Sequence, residues 1–137
     1  MVNVSVLNAR LEKLREYLDV LRSIREYDLE RFRRDPLVYG AAERYLHLSI
    51  ECLIDIGNHV ISDRGYRKPQ NYADVFMVLN EEDIISDELL EKIEGMAAFR
   101  NILVHDYLRL DRDRVYTLFS EKIPVMEELA SVFSKML

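Results

Sequence analysis

The sequence predicts an all-α bundle of four to five helices. Two observations carry that prediction. Apolar residues recur at steps of three and four along most of the chain, the period of a helix with one buried face, and no run shows the convincing alternation of a strand. Glycine and proline, the usual interrupters of a helix, number only four and three in 137 residues. Hydrophobic residues make up 49% and charged residues 32%, enough at this length to build one core, so residues 1–137 are expected to form a single domain.

The elements follow in order. Val4, Leu7, Leu11, Leu14, Leu18 and Leu21 place one apolar stripe on a first helix. That helix weakens near Glu26 to Asp28, where Asp28 can cap a short continuation through Phe32. Asp35-Pro36 restarts the chain, with Asp as N-cap and Pro at the first helical position. The second long helix runs to about Arg64, where Gly65 supplies a C-terminal stop. Its interior, 45-YLHLSIECLIDIGNHVI-61, is apolar on more than one side and suits the centre of a bundle. A loop over 65–71 precedes a short helix from about Tyr72 to Leu79. Ser86 then caps a fourth long helix expected over 87–105, with acids in its first turn. A link over 106–113 leads to a last helix ending near Met136, and Pro124 is expected to break or kink it.

Composition excludes several classes of function. A formal net charge of −6 argues against a broad, sequence-independent nucleic-acid surface. It leaves room for a local basic cleft; the arginines cluster at Arg31, Arg33 and Arg34, at Arg64, Arg67 and Lys68, and at Arg109, Arg112 and Arg114, each cluster reading most simply as a solvated face. One cysteine, Cys52, forms no intramolecular disulfide and reads as a small core residue in a reducing compartment. The first residues carry no basic leader before a long apolar run, and no apolar run approaches the ~20 residues that cross a bilayer. A cytoplasmic protein without membrane attachment is expected.

The stretch that asks for a functional explanation is 99-FRNILVHDY-107. With about 100° per residue and Leu89 set at zero, Arg100 falls at about 20°, in the middle of the core face, and His105 at about 160°. From Gly95 to Val104 the pattern is apolar nearly all round, so this segment is either central or faces a second packing surface. An arginine does not give up its proton in a protein, and an unpaired buried one is costly. Arg100 therefore has a carboxylate partner, reaches out to water, or borders a polar cleft. A permanent cation and a titratable imidazole near one helix end are the residue types that handle a phosphodiester.

Rival sites are weaker. His47, Glu51, Asp55 and His59 follow at steps of four on the second long helix and share a face pairwise. The Glu-x-x-His spacing of paired bundle metal sites is absent, so the row reads as a polar stripe lining solvent or a cleft, and no metal ion is expected. Tyr17, Tyr27, Tyr39 and Tyr45 can stack on bases, but aromatics at helical spacing are more often core. No Gly-rich phosphate loop, Cys-x-x-Cys pair or Ser–His–Asp arrangement stands out.

The octet RNILVHDY reads Arg-x4-His-x-Tyr with a polar residue, Asn101, directly after the arginine. It resembles the motif of HEPN-superfamily ribonucleases. Together with Asp35-Pro36, 50-IECLIDIGNHVI-61, 72-YADVF-76 and 114-RVYTLF-119 it makes essentially the whole chain resemble the HepT toxins of HepT–MntA modules. The resemblance implies a HEPN-type bundle that dimerises through its motif helices, giving a homodimer with a composite cleft near Gly95, Ala98 and Ile102. It implies an endoribonuclease that cuts RNA without a metal ion or cofactor, with Arg100 and His105 as catalytic residues and Asn101 in support. It also implies a partner, an MntA-like minimal nucleotidyltransferase that silences the toxin by AMPylation of Tyr107. The alternative is a non-catalytic helical subunit, a nucleotide-binding or adaptor protein that partners such a transferase.

Overall fold

The computed structural model describes residues 3–105, 108 and 110–137. Among these residues the chain forms seven helices and no strand: α1 Val4–Ile24, α2 Leu29–Arg34, α3 Pro36–Arg64, α4 Tyr72–Glu81, α5 Asp87–Ile93, α6 Met96–His105 and α7 Arg112–Ser134. The all-α bundle expected from periodicity is what forms.

Most boundaries are set by side chains that accept the free amides of a first turn. Asn3 accepts from the Val6 amide, Asp28 from Arg31, Asp35 from Leu37, Asn71 from Asp74 and Ser86 from Leu89. Asp111 does the same for the amides of Asp113 and Arg114 at the start of α7. Gly65 closes α3 at φ 68°, a left-handed conformation open to glycine at no steric cost.

Helix α3 is the axle of the bundle and packs against α1, α2, α4, α6 and α7. Leu7, Leu14 and Leu21 of α1, Leu46, Leu53 and Ile56 of α3, and Phe119 and Phe133 of α7 are fully buried. Phe32 from the short α2 stacks on Phe119 with ring centroids 5.8 Å apart, which ties that helix to α7. The loop before α4 is held by Arg67, whose guanidinium donates to both carboxylate oxygens of Asp74 at 2.8 Å and to Glu81 at 2.8 Å.

Three expectations are corrected. The helix anticipated over 87–105 is two helices, α5 and α6. The chain turns between them, with Glu94 at ψ 134° and Gly95 at φ 83°. A residue at that φ leaves the right-handed helix, and glycine makes the departure inexpensive. Cys52 is half-buried at the edge of the core, where its thiol donates to the Arg10 carbonyl at 3.2 Å. Pro124, in contrast to a helix-ending proline, sits inside α7, which continues to Ser134 on the strength of buried Ile123, Val125, Met126, Leu129 and Phe133.

Candidate active site

Helix α6 starts afresh after Gly95, whose carbonyl accepts the Phe99 amide at 2.9 Å. Because α6 takes its own direction, the wheel drawn through Leu89 no longer applies across the break. The inward set nevertheless includes Met96, Ala97 and Arg100, as the pattern of apolar residues requires. Arg100 is the only arginine buried among the described residues, at 8% exposure.

Its charge is met by a carboxylate. Arg100 Nε donates to Glu51 Oε2 of α3 at 2.5 Å, and Nη1 donates to the Asn101 side-chain oxygen at 3.1 Å. The guanidinium carbon lies 4.8 Å from the centroid of the Tyr72 ring, at the first residue of α4. The hydrogen bond to Glu51 raises the Arg100 pKa above its ordinary value, with burial opposing it. Breaking a fully buried ion pair costs about 3–5 kcal/mol because one charge is left uncompensated. Glu51 is 41% exposed, so water softens the loss here and that figure is an upper bound.

Glu51 belongs to the polar stripe of α3. The same Oε2 lies 3.8 Å from His47 Nε2, and Arg44 Nη1 lies 3.2 Å from His47 Nδ1. An arginine only donates, so Nδ1 accepts and Nε2 carries the proton toward Glu51 in the neutral ring. Burial lowers the His47 pKa, Glu51 partly opposes that, and Arg44 and Arg100 lower it further. One turn on, Asp55 pairs with Arg10 of α1. The acids of the stripe thus neutralise arginines, and among the described residues no group of three His, Cys, Asp or Glu side chains is placed to hold a metal ion. Glu51, Asp55, Arg10, Tyr17 and Tyr72 line a groove of about 610 Å³ that continues from the Arg100 pair along α1 and α3.

His105 is the last residue of α6 and is exposed. Five residues of helix separate it from Arg100 by about 7.5 Å of rise and about 140° of rotation. One protomer therefore carries the two groups on different faces of α6. Asn101 is exposed beside Arg100. Tyr107 lies outside the described residues. On the outer side of α6, Ala98 is exposed, Ile102 is half-buried, and both stand apart from the core cluster. Ala98 also borders an apolar groove shared with Ala73, Met77 and Leu90.

The other arginine clusters are largely spoken for, as a solvated face implies: Arg31 pairs with Asp35, Arg33 with Asp113 and Arg34 with Glu30, and Arg112 lies over the Tyr39 ring at 3.9 Å. Glu51 and Tyr72, by contrast, are members of the site that residue pattern did not single out. The step-of-four stripe pointed to Glu51 without showing what it faces.

The bundle shares its fold with solved structures that include a HEPN toxin. The family model for ribonuclease HepT-like proteins matches residues 10–133, and the chain belongs to that family. It is 29% identical over 122 residues to the tRNA nuclease HepT of Aphanizomenon flos-aquae, which spans 88% of this chain and 83% of the relative. It is 29% identical over 105 residues to the mRNA nuclease HepT of Shewanella oneidensis, spanning 77% of this chain and 79% of the relative. YutE of Bacillus subtilis, a cytosolic protein of unknown function, superposes with a TM-score of 0.88 at 24% identity over 99% of this chain and 91% of its own. The tri-AMPylated HEPN toxin of Shewanella oneidensis, solved in complex with an MNT antitoxin, superposes with a TM-score of 0.86 at 23% identity over 95% and 97%. At such identities the superpositions speak for the fold. No helix among the described residues is long and apolar enough to cross a membrane.

Proposed function

We propose that residues 1–137 act as one HepT-like domain, an endoribonuclease toxin that cuts RNA without a metal ion. The observation that carries this reading is the pairing on α6 of a buried, carboxylate-held Arg100 with an exposed His105 at the helix end. The membership in a family of ribonucleases gives it its direction.

The chemistry asks for three things. A base takes the proton of the ribose 2′-hydroxyl, and the 2′-oxygen attacks the adjacent phosphorus. The bond from phosphorus to the 5′-oxygen breaks, and an acid delivers a proton to that leaving oxygen. A cation meets the negative charge gathering on the non-bridging oxygens. Imidazole suits both proton transfers near neutral pH, and guanidinium suits the charge. The products are a 2′,3′-cyclic phosphate and a 5′-hydroxyl.

A single α6 holds its Arg100 and His105 on different faces. A homodimer that apposes two α6 helices through Ala98 and Ile102 brings two arginines and two histidines to one cleft, so that one histidine serves as base and the other as acid. Asn101 supports Arg100 through its side-chain oxygen. The same reading assigns control to a partner, an MntA-like nucleotidyltransferase that adds AMP to Tyr107. The Shewanella oneidensis toxin, AMPylated and bound to its antitoxin, supports that assignment by analogy. Each AMP brings a phosphodiester charge to compete for Arg100 and an adenosine to obstruct the cleft.

The test is cleavage of a labelled single-stranded RNA. Arg100→Ala and His105→Ala each abolish cutting with helicity retained, EDTA has no effect, and 2′-deoxyribose at the scissile position blocks the reaction. A strict need for a divalent ion, or cleavage of the deoxy substrate, refutes the mechanism.

A further inference from the structure

We infer that Glu51 is a positioning residue for Arg100, and that with Tyr72 it presets the guanidinium for a substrate phosphate; this rests on the ribonuclease reading above. The geometry of the contact makes the case. Glu51 engages the Nε edge of the guanidinium rather than its Nη1–Nη2 end. Asn101 takes a single proton of Nη1. A guanidinium carries five N–H donors, so among the described residues three of them, all on the Nη groups, are left for an incoming anion. A carboxylate placed to block the site would occupy the end that forks around two phosphate oxygens. Glu51 grips the stem instead.

The grip comes from different directions. Glu51 projects from α3, the helix against which most of the bundle packs, and lies 49 residues from Arg100 in sequence. Tyr72 lies against the guanidinium from the start of α4, and Asn101 belongs to α6 itself. An arginine on its own has four freely turning side-chain torsions. Held by an acceptor on Nε, an aromatic ring and a second acceptor on Nη1, it loses that freedom on folding rather than on binding RNA, which is the condition for electrostatic stabilisation without reorganisation. His47 Nε2 lies 3.8 Å from the same Glu51 oxygen.

The experiment uses the full chain and a labelled single-stranded RNA. Glu51→Ala is expected to lower kcat by roughly 10- to 100-fold, the scale of a misplaced catalytic group, with KM changed by less than about threefold because the open donors still attract phosphate. Glu51→Gln keeps an acceptor for Nε and is expected to recover most of that loss, which a purely structural or bulk-charge role does not predict. Should the Ala variant fold poorly, nitrogen-15 NMR of the wild type and Glu51→Gln decides the matter. The Arg100 Nε–H is expected to be protected from exchange in both, while exposed arginines exchange rapidly. An unchanged or raised kcat in Glu51→Ala, no recovery in Glu51→Gln, or a rapidly exchanging Arg100 Nε–H overturns the inference. If Arg100→Ala cuts RNA as well as wild type, it is the ribonuclease reading that falls, while the exchange measurement still reports whether Glu51 holds Arg100.

Discussion

Replacing Gly57 by alanine tests the packing that brings α4, and with it Tyr72, against the central helix. Gly57 lies inside α3, where alanine ordinarily stabilises a helix by roughly 1 kcal/mol over glycine. Here a Cβ meets Val75 Cγ1 at 2.7 Å and Leu79 Cδ1 at 3.3 Å. Ordinary contact begins at 3.4 Å, so α3 and α4 must separate by about 0.7 Å at this point. Val75 is stiff at χ1 and only 1% exposed, and Leu79 is fully buried, so neither can swing away. Overpacking of this kind costs about 2–3 kcal/mol, which leaves a net loss of about 1–2 kcal/mol after the helix gain. For a chain of this size that is a fall in Tm of roughly 3–8 °C. Gly40, in the same helix with nothing within 4 Å of its Cβ position, is the control: Gly40→Ala is expected to gain up to about 1 kcal/mol. Calorimetry on the two variants and wild type measures both. If Gly57→Ala melts at or above the wild-type temperature, the close approach of α3 and α4 is not real and the argument built on it fails.

Further expectations concern acid stability, assembly, control and thiol chemistry. Arg67 first, and the Gln70 amide second, hold Asp74 down from 3.8 to about 2. A depressed folded pKa gives stability that is complete above the unfolded value and lost as pH falls toward 2, so the urea midpoints of wild type and Asp74→Asn should differ at pH 7 and converge between pH 4 and 2; a constant gap contradicts this. Ala98→Glu and Ile102→Glu place a charge on the outer face of α6 and should convert a homodimer to monomers in analytical ultracentrifugation at micromolar concentration, whereas a monomeric wild type removes the composite site. Tyr107→Phe should remain an active ribonuclease after co-expression with a cognate transferase, while mass spectrometry finds AMP on the wild-type peptide; AMP on another residue discards Tyr107 as the switch. Burial first, then Asp55, raises the Cys52 thiol to about 11, so alkylation of the native protein should be slow at pH 8 and fast after unfolding.

What the residue pattern made legible was local, and the reasons are physical. Asp28, Asp35, Gly65 and Ser86 announce their boundaries because a cap acts within three or four residues of itself. The break at Gly95 was not legible: a single glycine is tolerated inside a helix, and the apolar period reads the same on both sides of the turn. At Pro124 the opposite happened, since buried neighbours on either side carry α7 through a residue that usually ends a helix. The burial of Arg100 could be placed on a helical wheel, but a wheel does not say which helix stands opposite. That is why Glu51, separated from it by α4, α5 and three connections, appeared only as one rung of a polar stripe, and Tyr72 only as the start of a short helix.

The closure of the core by α7 bears on when, during synthesis, the arrangement around Arg100 can form. Phe119, Ile123, Met126, Leu129 and Phe133 are all at 0% exposure, and every one is translated after Arg100 and His105. A nascent chain that has reached the end of α6 already carries the motif, yet the wall against which α3 and α1 pack has not been synthesised. Glu51 and Arg100 meet through the seating of α6 on α3, so the cation is set only when that seating is stable. A chain that stops between His105 and Arg112 therefore carries both residues but lacks the helix that closes the core behind them.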